Sequence, residues 1–176
     1  MSQPRLTLIL GGARSGKSRA AEDLVTAAPS PWIYIATAQA FDAEMRERIA
    51  RHRARRGAGW QTVEAPRDLA RAVRSAPAQA PVLVDCLTLW LSNLLLADLD
   101  AADLEQAMAD LDQALGRRIA PTILVSNEVG LGIVPDHPLG RRFRDAAGRL
   151  HQHLAARADR VLFMVAGLPL VVKGEK

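Results

Sequence analysis

A short apolar run, Leu6-Thr7-Leu8-Ile9-Leu10, leads directly into Gly11-Gly12-Ala13-Arg14-Ser15-Gly16-Lys17-Ser18 and then into a helix-compatible stretch, Arg19–Val25. Few patterns of this length restrict a fold so strongly. The spacing G-x-x-x-x-G-K-[ST], set between a strand and a helix, is that of a phosphate-binding loop. Gly11, Gly12 and Gly16 let the backbone curl so that successive N–H groups converge on phosphate oxygens. A helix opening at Lys17 and Ser18 adds unpaired donors and the positive end of its dipole. Lys17 brings a point charge to β- and γ-phosphate oxygens, and the Ser18 hydroxyl is a natural Mg²⁺ ligand. The pattern predicts a nucleotide-phosphate site spanning Gly11, Gly12, Ala13, Arg14, Ser15, Gly16, Lys17 and Ser18.

With 176 residues, 49% of them hydrophobic, the chain is long enough to bury a full core as one domain over 1–176. The net charge of +4 is local rather than spread out. Arg46, Arg48, Arg51, Arg53, Arg55 and Arg56 crowd one segment without interleaved aromatics, which speaks against nucleic acid and fits a phosphate-rich small substrate. A single cysteine, Cys86, rules out an intrachain disulfide and suits a reducing compartment. The stretch Val82–Leu99 is apolar but carries Asp85, Ser92, Asn93 and Asp98, so it reads as a strand and a buried helix instead of a membrane span. With the first strand so near the start, no signal peptide is expected. The expectation is a cytoplasmic protein without membrane insertion.

Buried, non-alternating strands are expected at Pro31–Ala36, Pro81–Asp85, Pro121–Ser126 and Arg160–Ala166, with shorter ones at Trp60–Glu64 and Leu170–Lys173. Helices are expected from Asp42 to about Arg56, Arg67–Ser75, Leu87–Ala97, Asp100–Arg118 and Leu139–Arg157. Alternation of this kind means an α/β fold with a mostly parallel sheet flanked by helices and a site at the strands' carboxyl ends.

Two residues beyond the loop carry chemistry. Asp85 ends an apolar strand, where a carboxylate either holds the Mg²⁺ water shell opposite Ser18 or caps the next helix. His52 shares a helix face with Met45 and Ile49, so it is expected to point toward the protein body. A lone inward-facing histidine is commonly structural. Here the surrounding arginines disfavour the imidazolium, and a neutral imidazole is a competent nucleophile at phosphorus. Asn127 and Glu128 end another strand; they orient a Mg²⁺ water or an acceptor hydroxyl, or else pin the glycine-rich segment that follows. His151 and His153 are expected on a helix surface, and Trp60 and Trp90 as core or interface anchors.

Taken together, Gly11–Ser18, Tyr34-Ile35-Ala36-Thr37-Ala38, Glu44-Met45 with Arg48-Ile49 leading to His52, Ser126–Pro135 and Phe143–Arg149 resemble the bifunctional adenosylcobinamide kinase/adenosylcobinamide-phosphate guanylyltransferase family of cobalamin biosynthesis. The similarity runs along essentially the whole chain. It implies a RecA-like P-loop fold, a homotrimer, and Mg²⁺ with GTP or ATP as substrates. The first reaction it implies phosphorylates adenosylcobinamide. The second moves GMP from GTP, through a guanylyl-histidine, to adenosylcobinamide phosphate, giving adenosylcobinamide-GDP. The nucleophile maps to His52, the loop lysine to Lys17, and GTP contacts to the loop, Ala36, Thr37, Ala38, Arg53, Ala54, Arg55, Arg56, Glu64 and Asp85. Metal contacts map to Ser18 and Asp85. Three departures stand out. Arg51-His52 replaces a histidine pair of many relatives, Arg53-Ala54-Arg55-Arg56 replaces Lys-Asp-Gly-Arg, and Asp85 replaces a Glu. The competing readings are a small-metabolite kinase without guanylyl transfer and a GTP-binding regulatory module. The latter would need the Asn/Thr-Lys-x-Asp guanine signature, which this chain lacks.

Overall fold

The computed structural model describes residues 4–39, 43, 46–47, 50, 53–54, 56–97 and 99–175. Strands β1 (Leu6–Gly11), β2 (Trp32–Ala36), β3 (Trp60–Glu64), β4 (Val82–Asp85), β5 (Thr122–Val125), β6 (Arg160–Val165) and β7 (Leu168–Lys173) form one sheet. Their order is β3-β2-β4-β5-β1-β6-β7. All neighbours run parallel except β7, which returns antiparallel to β6. The helices are α1 (Lys17–Thr26), α2 (Leu69–Ser75), α3 (Leu87–Leu95), α4 (Ala101–Gly116) and α5 (Pro138–Arg157). Residues 43, 46, 47, 50, 53 and 54 are also helical. The expected cap Asp42 and the expected inward face of Met45, Ile49 and His52 lie outside the described residues.

Side chains of successive strand residues go to opposite faces of the sheet, and both faces are covered, which is why the central strands read as continuous apolar runs. Leu6, Leu8, Ile35, Val84 and Leu124 pack under α2, α3, α4 and α5, with Trp90 fully buried among them. Ile9, Leu83, Ile123, Val125 and Leu162 pack against Ala21 and Val25 of α1 on the opposite face. Trp90 is thereby a core anchor, its indole N–H donating to Arg67 O at 2.8 Å.

Helix ends follow local chemistry. Asp100 caps α4 by accepting from the Asp103 N–H at 2.8 Å. Pro138 opens α5, a position where its missing N–H costs nothing. The β6–β7 connection is a two-residue turn through Ala166 (φ 51°) and Gly167 (φ 85°), the doubly left-handed conformation that hairpins favour. Because the last strand is this hairpin's return arm, it begins at Leu168, earlier than its apolar run suggests.

Register fixes what shares an edge. Ala36 pairs with both Glu64 and Asp85, Asp85 with Val125, and Val125 with Ile9. The carboxyl ends of β3, β2, β4, β5 and β1 therefore form one continuous ledge.

Candidate active site

The loop occupies this ledge after β1. Gly11, at φ 149°, ends the strand, and a Cβ there would lie 2.6 Å from Met164 O. Gly16 adopts a left-handed φ of 96° immediately before α1, whose first residue is Lys17. Arg14 is also left-handed, at φ 55°. The Lys17 side chain curls back over the loop, donating to Gly12 O and lying 3.5 Å from Ser15 Oγ. Although a lysine, it is only 6% exposed, so its charge is held inside the curl rather than in bulk water. The hairpin turn braces the loop from outside, with Gly167 N–H donating to Ser15 O at 3.0 Å.

Asp85 stands one strand beyond β5 from the loop. Its carboxylate accepts the Tyr34 hydroxyl at 3.2 Å. Burial first, then the neighbouring Asp85 charge, push the Tyr34 phenol well above its ordinary range, so it remains a donor. Cys86, not Asp85, occupies the N-cap position of α3, and among the described residues no side chain caps that helix end, which speaks against the capping alternative for Asp85. Ser18 and Asp85 offer a hydroxyl and a carboxylate oxygen. No cluster of three or more His, Cys, Asp or Glu capable of holding a metal occurs among the described residues. That donor set fits a hard cation held mostly by nucleotide oxygens.

The segment Ala36, Thr37, Ala38 lies at the end of β2. Thr37 is fully buried, and its hydroxyl donates to Cys86 O at 2.7 Å and accepts the Cys86 N–H at 2.8 Å. Its carbonyl accepts from Asn93 Nδ2 at 2.8 Å. Thr37 thus ties β2 to β4 and α3, and its hydroxyl is committed to that internal role. Cys86 is buried and its thiol is pushed up by burial and by Asp85, in keeping with an inert side chain.

The arginine-rich segment is fastened to the same ledge. Arg53 forms an ion pair with Glu64 at 2.5 Å. The Arg56 guanidinium lies 3.5 Å from the centroid of the Tyr34 ring, a cation–π contact. Ala54 is exposed. Arg55 and His52 lie outside the described residues. Glu64 and Arg53 stand four strand intervals from β1, about 19 Å at the usual spacing, farther than loop-bound phosphates extend.

Asn127 and Glu128 resolve into different roles. Continuing the strand alternation, Asn127 turns to the α1 face, where Nδ2 donates to Thr88 Oγ1 at 2.8 Å. Ser126 and Glu128 turn to the α5 face. Glu128 N–H donates to Gly11 O at 3.0 Å, and its Oε1 accepts the Gly130 N–H. His151 meets them from α5. It is 7% exposed, correcting the surface assignment: the helix turn carrying Ala147, Leu150 and Leu154 buries it too. His153 does lie on the surface, 3.0 Å from Asp112. Sequence periodicity held the signal for His151, since it lies one position from Leu150 and three from Leu154 on the apolar face.

A β1–loop–α1 unit with a buried lysine and a facing strand-end carboxylate defines a P-loop nucleotide-binding enzyme on a RecA-like sheet. Solved structures share this fold. A Pyrococcus horikoshii OT3 protein matches with TM-score 0.57 over 98% of this chain and 87% of its own, at 10% identity. The flagellar accessory protein FlaH of Methanocaldococcus jannaschii matches with TM-score 0.55 over 97% and 79%, at 12% identity. Residues 7–172 match the family model described as cobinamide kinase / cobinamide phosphate guanyltransferase. The bifunctional adenosylcobalamin biosynthesis protein CobP of Pseudomonas aeruginosa is 57% identical, covering 96% of this chain and 97% of its own. The corresponding CobU of Salmonella typhimurium is 44% identical over 96% and 99%. The chain belongs to the cobinamide kinase/cobinamide phosphate guanyltransferase family, and its function is accordingly that of a bifunctional kinase and guanylyltransferase.

Proposed function

We propose that both reactions of this chain run on one ledge, with the loop gripping polyphosphate and His52 acting as the guanylyl carrier. In the kinase step the hydroxyl of adenosylcobinamide attacks the γ-phosphorus of ATP or GTP, and the nucleoside diphosphate leaves. In the second step a neutral His52 nitrogen attacks the α-phosphorus of GTP and pyrophosphate leaves. A phosphate oxygen of adenosylcobinamide phosphate then displaces histidine from the guanylyl phosphorus, giving adenosylcobinamide-GDP. Mg²⁺, held at Ser18 and Asp85 with nucleotide oxygens, supplies charge neutralisation when bound. Lys17 and the loop N–H groups stabilise the charge that builds on the γ-phosphoryl group or on departing pyrophosphate.

The observation that carries this reading is the attachment of the arginine-rich segment to the loop's own ledge, through Arg53–Glu64 and Arg56–Tyr34. Arg53, Arg55 and Arg56 flank His52 in the chain, and their charge favours the uncharged imidazole. The family resemblance implies a homotrimer, and the single cysteine suits a reducing compartment such as the cytoplasm. No helix of the described residues is long and apolar enough to cross a membrane.

The test is a pair of assays on one preparation. GTP labelled in its α-phosphate should leave acid-labile, base-stable label on the protein, and His52→Ala should abolish it while phosphorylation of adenosylcobinamide persists. Equal labelling of the variant would refute the assignment of His52.

A further inference from the structure

A buried polar chain behind the phosphate loop has no part in the chemistry above. Ser126 is fully buried, and its hydroxyl lies 2.7 Å from His151 Nε2. The other ring nitrogen, Nδ1, lies 3.8 Å from Glu128 Oε2. The Glu128 side chain is 21% exposed, so the chain runs from the protein interior to the solvent-facing ledge. Its exposed end is anchored to the loop by the bond from Glu128 N–H to Gly11 O. We propose that Glu128 is the base that takes the proton from the acceptor hydroxyl in the kinase step, and that His151 and Ser126 are positioning residues that hold its carboxylate. This rests on the kinase half of the proposed function.

Geometry and chemistry lead to the same assignment. Phosphoryl transfer to an alcohol forms the acceptor O–Pγ bond and breaks the bond from Pγ to the bridging oxygen, whose electron pair leaves with the nucleoside diphosphate. The hydroxyl proton must go to a base, and Glu128 receives it. The Glu128 carboxylate follows the strand beside the loop, and its own backbone is bonded to the loop's first residue, which puts a base at the loop's edge. Guanylyl transfer needs no such base, because neither attacking atom, the unprotonated nitrogen of a neutral imidazole or an ionised phosphate oxygen, carries a proton to lose.

The three residues also divide their contacts consistently: Ser126 and His151 share a hydrogen bond, while His151 and Glu128, 3.8 Å apart, meet as an electrostatic contact. With the proton on Nδ1, the imidazole directs an N–H toward Glu128 and accepts the Ser126 hydroxyl at Nε2. Burial lowers the His151 imidazole below its ordinary range despite the opposing pull of Glu128, so the ring orients the carboxylate without cancelling its charge. Glu128 Oε1 is taken by the Gly130 N–H, which leaves Oε2 as the oxygen for the incoming proton. The same bond fixes the turn after β5, where a Cβ on Gly130 would come within 2.9 Å of Oε1.

The experiment measures both half-reactions for wild type, Glu128→Gln, His151→Asn, and the double variant Ser126→Ala/His151→Leu, with folding checked by thermal unfolding. Glu128→Gln should lower the kinase kcat about 100-fold or more, with nucleotide KM within about threefold and guanylylation from GTP far less affected. The double variant fills the site with apolar atoms and leaves no buried partner unsatisfied. It should remain folded yet lose about tenfold in kinase kcat at unchanged KM. His151→Asn keeps a donor at the Nδ1 position and should recover part of that loss. A kinase kcat within threefold of wild type in Glu128→Gln, or an equal loss in both half-reactions, overturns the assignment of Glu128. A folded double variant with wild-type kcat overturns the positioning role. A wild-type protein that makes no adenosylcobinamide phosphate would instead overturn the kinase reading itself, and this proposal with it.

Discussion

Two adjacent glycines of the phosphate loop should respond to the same substitution with opposite signs. In Gly11→Ala the new Cβ would lie 2.6 Å from Met164 O and 2.8 Å from Ser15 Oγ, at a φ of +149°. The first neighbour is backbone of the adjacent strand β6, paired to Gly11 in the sheet, so it cannot turn aside as a side chain would. Overpacking of this sort costs about 1–3 kcal/mol. Holding a residue with a Cβ at such a φ adds on the order of 1–3 kcal/mol. The sum, about 2–6 kcal/mol, is a large share of the roughly 5–15 kcal/mol that holds a domain folded. In Gly12→Ala the Cβ meets nothing within 4 Å and φ is not left-handed. That change should stabilise by about 0.4–1 kcal/mol, through the unfolded chain alone. Urea unfolding of nucleotide-free protein, followed by far-UV circular dichroism, separates the two. At a slope of about 2 kcal/mol per molar, Gly11→Ala should lower the midpoint by about 1–3 M while Gly12→Ala leaves it level or slightly raised. Equal shifts in the two variants would refute the account, because the close neighbours and the positive φ belong to Gly11 and not to Gly12.

Lys17→Ala should depress both half-reactions by about 100-fold or more, since one ammonium serves both departing groups; kinase activity surviving intact would show that the loop is not shared. Thr37→Val removes a buried hydroxyl that satisfies both the N–H and the carbonyl of Cys86, and should destabilise by about 2–4 kcal/mol in denaturant titration. The Cys86 thiol, buried and shifted upward, should react with a disulfide reagent at pH 8 only after urea is added; rapid labelling of native protein would contradict its burial. His151 has a depressed folded pKa, so the unfolded chain binds the extra proton. Its contribution is present above the ordinary imidazole value of about 6.5 and is lost as pH falls through the folded value. Unfolding midpoints at pH 7.5 and 5.5 should therefore differ more in wild type than in Ser126→Ala/His151→Leu.

Much of this was legible in the residues themselves. The loop and its flanking strand and helix are local features, and the buried parallel strands announce themselves as uninterrupted runs such as Val82-Leu83-Val84. Strand ends carrying Asp85, Glu64 and Glu128 could be placed on one ledge because parallel topology puts every carboxyl end on the same side. Three things were not legible. Pairing order decides that Glu64 stands four strands from the loop, and no short-range pattern encodes that order. Periodicity sets His151 beside Leu150 and Leu154 on the apolar face of α5, but its partner Ser126 follows only from the packing of α5 on β5. The commitment of the Thr37 hydroxyl to Cys86 likewise depends on β2 and β4 being neighbours.

Strand β1, written near the start of the sequence, lies between β5 and β6, both written late, and the turn at Gly167 props the loop it feeds. A growing chain on the ribosome therefore emerges with its nucleotide-gripping segment first but without the two strands and the buttress that shape it. Until synthesis has passed the β6–β7 hairpin, the loop lacks the neighbouring strands and the turn that shape it.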